Sequence, residues 1–332
     1  MANKAYKYRL YPTREQMRMI MNTIGCCRYV YNMSLEKRES AYRQGRPVPG
    51  YTALCRDIAS LKKDPAHAWL KDADSAALQQ SVRHLMSAYD GFFAGRSRRP
   101  KFKSKRKSRW SYHTPCVNGN IRVGDGCVVL PKLGRVRAAI SRTAPVGWEL
   151  KSATVSVERD GTVYVSVLYA YERDIPRRGL SESTAVGLDY KSDGLYVSSD
   201  GDACGSPKFF RKSQERLAKA QRKLRHMKKG SANREKQLRR IAKIHRHTAN
   251  QRRDFLHKES ALRAKAHDIV CVEGLDMKAL SNGGFGNGKA AMDNGWGMFL
   301  SMLEYKLRDR DVNAARNILR EGLRVYRQTA AA

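Results

Sequence analysis

The stretch AVGLDYKSDGLYVSSDG, residues 185–201, decides how the second half of this chain folds. AVGLD is a short apolar run of the buried-strand kind, and it ends in an acid, Asp189. Leu195 to Ser199 reads as a second strand, closed by the turn dipeptide Asp200-Gly201. The pattern returns at DIVCVE, residues 268–273, which ends on Glu273. Both runs predict strands buried on both sheet faces. A carboxylate at such a place must be solvated, paired or metal-bound, because uncompensated burial is costly.

Working outward, Phe209 to His267 between these strands is strongly basic and helical, with a break at Gly230-Ser231. It predicts a helical hairpin whose seam is Leu217, Leu224, Leu238, Ile241 and Ile244. A Gly/Asn-rich loop at 281–288 follows, then closing helices from about Met292. On the other side, residues 171–183 read as a linker. Ile121 to Tyr171 alternates as strands, with a hairpin about Asp160-Gly161, and predicts a small β-barrel or curled sheet. Lys4 to Tyr11 is also a strand, with Tyr6, Tyr8 and Leu10 on one face. It is expected to join that sheet, so that the helices between become an insertion. Thr13 and Gln16 form a capping box for the first of them, and Met17, Ile20, Met21 and Ile24 follow at helical spacing.

Composition narrows the partner. Lys and Arg total 65 against 31 Asp and Glu, a formal charge of +34 over 332 residues. Soluble domains carry charges of about 2 to 8, so a polyanion, nucleic acid above all, is the expected partner. The 41% hydrophobic content excludes a wholly disordered basic tail. No run reaches the ~18 apolar residues of a membrane span, and MANKAYKYRLYP has no signal-peptide pattern. A cytoplasmic, nucleoid-associated location without a membrane partner is therefore expected.

Two basic tracks stand out. RSRRPKFKSKRKSR, residues 96–109, holds nine basic residues and no acid. Its Arg98, Arg99, Lys101, Lys103, Lys105 and Arg106 suit phosphates, while Phe102, Trp110 and Tyr112 offer faces for stacking on exposed bases. The second track is the outer face of the helical hairpin, with Arg222, Lys228 and Lys229. The seven cysteines are scattered and contain no CxxC pair, which argues for a reducing compartment and against a zinc ribbon. Cys127 and Cys271 read as small core residues. His245 and His247, two apart on a helix, point to different faces and make poor metal ligands.

Three acids could carry chemistry. Asp189, Glu273 and Asp311, the last in RDRDVNAARNIL, come from separate segments. Such carboxylates can hold two Mg²⁺ or Mn²⁺ ions ~3.5 to 4 Å apart for in-line phosphodiester hydrolysis. Duller roles stand beside this one. Asp189 and Asp193 could cap a turn, Glu273 could pair with an Arg of the hairpin, and Asp311 could be a helix N-cap.

The motifs AYKYRLYP, IGCCRYVYN, PKFKSKRKS with SYHTP, LPKLGRV, VGLDYKSDGLYVSSDG, RKLRHMKKGSANREKQ, DFLHKES, IVCVEGLDMKAL, DNGWGMFLSMLEYK and DRDVNAARNIL run nearly end to end. Together they resemble the TnpB (OrfB) family, transposon-encoded RNA-guided nucleases related to type V CRISPR effectors. The resemblance implies an α+β multidomain chain. A wedge-like β-barrel (1–12 and 116–178) would carry an inserted helical recognition lobe (13–115). An RNase H-like, RuvC-type α/β domain (179–332) would follow, with the basic hairpin at 209–267. It also implies a structured guide RNA, a double-stranded DNA target beside a short flanking motif, and Mg²⁺-dependent cutting by Asp189, Glu273 and Asp311. A homodimer is compatible with it.

One feature departs from the family. Between LEYK and DRD, TnpB proteins carry a further strand and a four-cysteine zinc ribbon. Here Glu304-Tyr305-Lys306 runs through Leu307-Arg308 into Asp309, so no zinc is expected. Phe299, Leu303 and Leu307 continue in helical register to Ile318. One unbroken helix there would draw Asp311 away from the other acids, leaving guided DNA binding with impaired cutting as the alternative.

Overall fold

The computed structural model describes residues 2–172, 184–275, 277 and 293–310. The chain divides into two units, Met1–Arg173 and Asp174–Ala332.

The first unit is built on β1 (Ala2–Tyr11). Its alternation places Tyr6, Tyr8 and Leu10 inside and Lys7, Arg9 and Tyr11 outside. After Pro12 the expected capping box starts α1 (Arg14–Arg43): Gln16 N–H donates to the Thr13 hydroxyl, and Thr13 N–H donates back to Gln16 Oε1. α2 (Tyr51–Leu61), a 3₁₀ helix (Pro65–Asp72) and α3 (Ser75–Phe93) follow, the last capped by Asp74. Then come β2 (Trp110–Pro115), β3 (Arg122–Gly124), β4 (Cys127–Leu130), β5 (Gly134–Ala139), β6 (Glu149–Val157) and β7 (Val163–Tyr171).

These strands make one seven-stranded sheet in the order β2-β6-β7-β1-β5-β4-β3. Every neighbouring pair is antiparallel. β1 lies between β7 and β5, as its need for partners requires. The expected β-barrel or curled sheet is thus present as one antiparallel sheet ending in β2 and β3, with no ladder between those two strands among the described residues. One correction concerns Trp110 to Pro115. It reads as part of a basic arm but forms β2, six residues in register with β6 from Trp110↔Val157 to Pro115↔Ser152. The alternation WSYHTP was masked by the charge run before it.

The helices and the sheet share the main hydrophobic cluster of this unit, beside a small one of Tyr31, Leu35, Leu85 and Tyr89 between α1 and α3. Ile20, Ile24, Val30, Leu54 and Leu78 pack with Tyr8, Val128, Val136, Val155 and Val165, all nearly inaccessible to water. Cys26 and Cys27 are buried in it, and burial pushes their thiols up to about 11 and about 12. Of the two cysteines expected inside, Cys127 is buried and Cys271 is exposed.

The second unit holds a four-stranded sheet, β10-β9-β8-β11. β8 (Ala185–Tyr190) pairs antiparallel with β9 (Tyr196–Ser198), which pairs with β10 (Ala203–Cys204). β11 (Ile269–Val272) lies parallel to β8. A basic hairpin of α4 (Phe209–Arg225) and α5 (Ala232–Ala266) separates β10 from β11 in sequence, and α6 (Trp296–Arg310) packs on α5. Val186, Leu188, Leu195, Tyr196, Leu256, Trp296 and Phe299 form its core. β8 buries only Val186 and Leu188, alternating with exposed or half-buried positions, so one face is covered rather than two. The loop expected at 281–288 and the helix beyond Arg310 lie outside the described residues.

Candidate catalytic acids and nucleic-acid surfaces

β8 and β11 run parallel in the register Ile269↔Ala185 through Val272↔Leu188. Asp189 and Glu273 each stand one residue past that last pair, at the same ends of strands ~4.8 Å apart. Two acids 84 positions apart in sequence are therefore brought to the same end of two neighbouring strands. Asp189 is exposed and Glu273 half-buried. Neither makes an ion pair or a side-chain hydrogen bond among the described residues, so the capping role for Asp189 and the hairpin salt bridge for Glu273 both fall away. Asp193 is the acid of this turn that is engaged, 2.7 Å from Lys208 Nζ, and that partner holds its carboxyl below the usual range. Asp311 lies outside the described residues. Among the described residues, no group of three or more His, Cys, Asp or Glu is assembled for a metal.

Two neighbours of the site are absent from the sequence reading. Asn294 is buried, and its Nδ2 donates to Ser192 O at 2.8 Å, Lys191 O at 3.3 Å and Tyr190 Oη at 3.4 Å. It thus clasps the three residues that follow Asp189. Asp293, also buried, accepts from the first N–H groups of α4, Phe210 N at 2.9 Å and Arg211 N at 3.3 Å, and pairs with Arg252 of α5 at 2.9 Å. A negative charge at a helix N-terminus opposes the helix dipole and satisfies otherwise unpaired donors. Gly295 has φ +72°, and a Cβ there would lie 3.1 Å from both Arg252 Cδ and Leu256 Cδ1. The Asp-Asn-Gly triplet before a buried Trp296 was the signal: two polar residues in front of a core aromatic need buried partners.

The hairpin forms as expected, with a seam more polar than predicted. Leu217, Ala220 and Ile244 are buried with Ile241 against them, whereas Leu224 and Leu238 are only half-buried. Gln237 takes the central place, donating to Ala220 O at 2.7 Å, and Thr248 hydroxyl donates to Ser213 Oγ at 3.0 Å. Arg222, Lys228 and Lys229 are exposed.

The basic arm divides into cations that face water and cations already engaged. Arg98, Lys101, Lys105 and Arg106 are exposed. Arg99 closes its guanidinium fork on Glu39, at 3.0 and 2.6 Å. Lys103 is half-buried, its Nζ 3.8 Å from the centre of the Tyr31 ring, and burial lowers its pKa. Asn32 holds the arm's backbone by paired bonds with Lys103, and the Arg159 guanidinium stacks on Trp110 while donating to Arg106 O. Tyr112 is 5% exposed within β2. Its ring is packed into the core and offers no face to a base, which corrects its place among the stacking residues.

Family models match at two places: a helix-turn-helix domain of the OrfB type over residues 1–47, and a "Probable transposase" domain over 166–283. A Streptomyces pristinaespiralis protein named "Putative RNA-guided DNA endonuclease" is 34% identical, over 96% of this chain and 89% of that protein. The chain belongs to the TnpB (OrfB) family. "Putative RNA-guided DNA endonuclease InsQ" of Escherichia coli (strain K12) is 31% identical, over 91% of this chain and 77% of its own length. Among solved structures the chain is similar to that titled "Cryo-EM structure of the Cas12f1-sgRNA-target DNA complex", at 10% identity and TM-score 0.45, covering 93% of this chain and 88% of that one. In this TnpB-family chain the segment matched as helix-turn-helix is a strand followed by the single 30-residue helix α1. No helix among the described residues is long and apolar enough to cross a membrane.

Proposed function

We propose that this chain is a guide-RNA-directed DNA endonuclease of a transposable element, cutting in a RuvC-type site with Asp189, Glu273 and Asp311 as its carboxylates. The observation that carries this reading is the meeting of Asp189 and Glu273, both without cationic partners among the described residues, at one end of neighbouring parallel strands. In a chain of net charge +34, two neighbouring carboxylates without a cationic partner among the described residues are free to hold a metal. An all-oxygen donor set suits Mg²⁺ or Mn²⁺ and not zinc. When bound, such ions supply an activated water and stabilise the charge of an in-line phosphodiester displacement.

The protein's own residues fix the geometry. Asn294 holds the turn behind Asp189, and Asp293 fastens α4 and α5 to the same loop. The exposed cations of the arm and the hairpin attract the phosphate backbones of a structured guide RNA and a target duplex, while base pairing reads the sequence and the protein reads duplex shape and a short flanking motif. In this reading 1–12 and 116–178 form the wedge, 13–115 the recognition lobe and 179–332 the nuclease domain.

Plasmid cleavage with the cognate guide RNA and Mg²⁺ tests it. Asp189→Ala and Glu273→Ala should each abolish cutting while RNA binding persists; robust cutting by either variant overturns the assignment. One observation favours a second reading, guided DNA binding without cleavage. α6 continues as helix to Arg310, the residue before Asp311, and no cysteine follows Cys271 to build a ribbon. Under that reading the unmutated chain retards the guided target in a gel but leaves it intact.

A further inference from the structure

The first unit contains a cavity of about 270 Å³ at the junction of α1, α3, the basic arm, β2 and β6. Arg28 and Cys27 line it from α1, Ser81 and His84 from α3, and Lys103, Ser108 and Arg109 from the arm. Ser111, Tyr112 and His113 come from β2, and Thr154 from β6. Five of these groups are cations or can become so, four carry hydroxyls on Ser or Thr, and no carboxylate is among them. None of Arg28, Lys103 and Arg109 is paired with an acid among the described residues. The acid nearest in influence, Asp74, caps α3 and accepts from the Thr114 hydroxyl. Cations gathered without counter-charge repel one another and cost stability, so a folded chain keeps them together where an anion neutralises them.

The two histidines face each other, with ring centres 5.6 Å apart. His113 Nδ1 lies 2.9 Å from Thr154 Oγ1, which fixes the ring. Burial, then the charges of His113 and Lys103, holds His84 below the usual imidazole value, and burial does the same for His113. In the free protein this environment disfavours the proton on both rings. An anion placed between them reverses the balance, because a nearby negative charge favours the imidazolium.

We propose that this cavity is a phosphate-binding site, in which Arg28, Lys103 and Arg109 hold a backbone phosphate of bound nucleic acid and the His84–His113 pair takes up a proton as the phosphate enters. It rests on the nucleic-acid reading above only for the source of the phosphate. The sign follows from linkage. Each imidazole is raised on binding, so binding takes up protons between its free and its bound pKa. Affinity rises as pH falls through the bound value and levels off below the free one. One linked proton is worth up to about tenfold in affinity per pH unit within that window.

The test is a ¹³C-histidine NMR titration of the full chain, with His84 and His113 assigned from His84→Gln and His113→Gln. Two probes are used, inorganic phosphate and a 12-base-pair DNA duplex. Upward movement of both imidazole pKa values with either probe supports the site. Movement with the duplex alone identifies backbone phosphate as its occupant, and movement with phosphate alone identifies the free anion. No movement with either overturns the proposal. In parallel, duplex affinity of the parent chain should strengthen at least about threefold from pH 7.5 to pH 6.0, within the tenfold-per-unit limit for one proton. In the His84→Gln/His113→Gln chain, shown folded by circular dichroism, the pH response should be smaller, only the other six histidines contributing. An equal pH response in both also overturns it. Neither readout involves strand cleavage, so the outcome is independent of whether the chain is a nuclease.

Discussion

Asn294 is the residue on which the Asp189 turn depends. Its amide serves two backbone carbonyls and one phenol, and of these Lys191 O also accepts from Gly194 N, so Ser192 O is the acceptor most dependent on it. Asn294→Ala should cost about 1–3 kcal/mol through the lost bond to Ser192 O. It should also slow guided cleavage about 10- to 100-fold by displacing Asp189. A purely structural role would leave the Mg²⁺ dependence unchanged, whereas a displaced ligand moves half-maximal cleavage to higher Mg²⁺. Asp293 acts differently, since it is 3% exposed and neutralises Arg252. Asp293→Asn keeps an acceptor for α4 but strands that charge, so urea unfolding should show a loss of about 3 kcal/mol. Both residues escape a reading by strand and helix pattern because they lie in a short loop, and their partners are 41 to 104 positions away. The placement of Asp189 and Glu273 at strand ends, by contrast, is legible, because an acid closing an apolar run is a local anomaly.

Among the elements, the arm and the hairpin show how far a charge run can be read. The composition of 96–109 announces a polyanion surface, and the structure divides its cations by geometry. Arg99 is committed to Glu39 and Lys103 leans on Tyr31, while Lys101, Lys105 and Arg106 face solvent. Replacing those three by Glu should weaken guide-RNA binding and lower the slope of log affinity against log salt by about 2, at ~0.7 per phosphate contact for single strands. Filter binding across a salt series measures it, and an unchanged slope would exclude the arm from the interface. Arg99→Glu belongs to another class, since it sets two carboxylates against each other and strikes folding first. The strand β2 was hidden from sequence for a related reason: Tyr112 and Trp110 look like stacking platforms next to lysines, and only pairing with β6 shows them as sheet residues.

At the scale of the molecule, periodicity and turn chemistry found both sheets, the insertion of helices after β1 and the hairpin between β10 and β11. What they could not give is closure. Whether a set of antiparallel strands curls into a barrel or stays open depends on twist and on pairing between its first and last members, and neither is written in local alternation. Here no ladder joins the first and last strands among the described residues, and the helices cover the sheet through the cluster that Ile20, Leu54, Val128 and Val165 share. That shared interior bears on any effort to miniaturise the protein. A cassette can be trimmed away when its core is its own, and residues 13–109 keep to themselves only the small cluster of Tyr31, Leu35, Leu85 and Tyr89. Cutting them out would leave the sheet's greasy side bare to water. A smaller guided effector of this kind must therefore keep its helices, or replace the apolar cover they give the sheet.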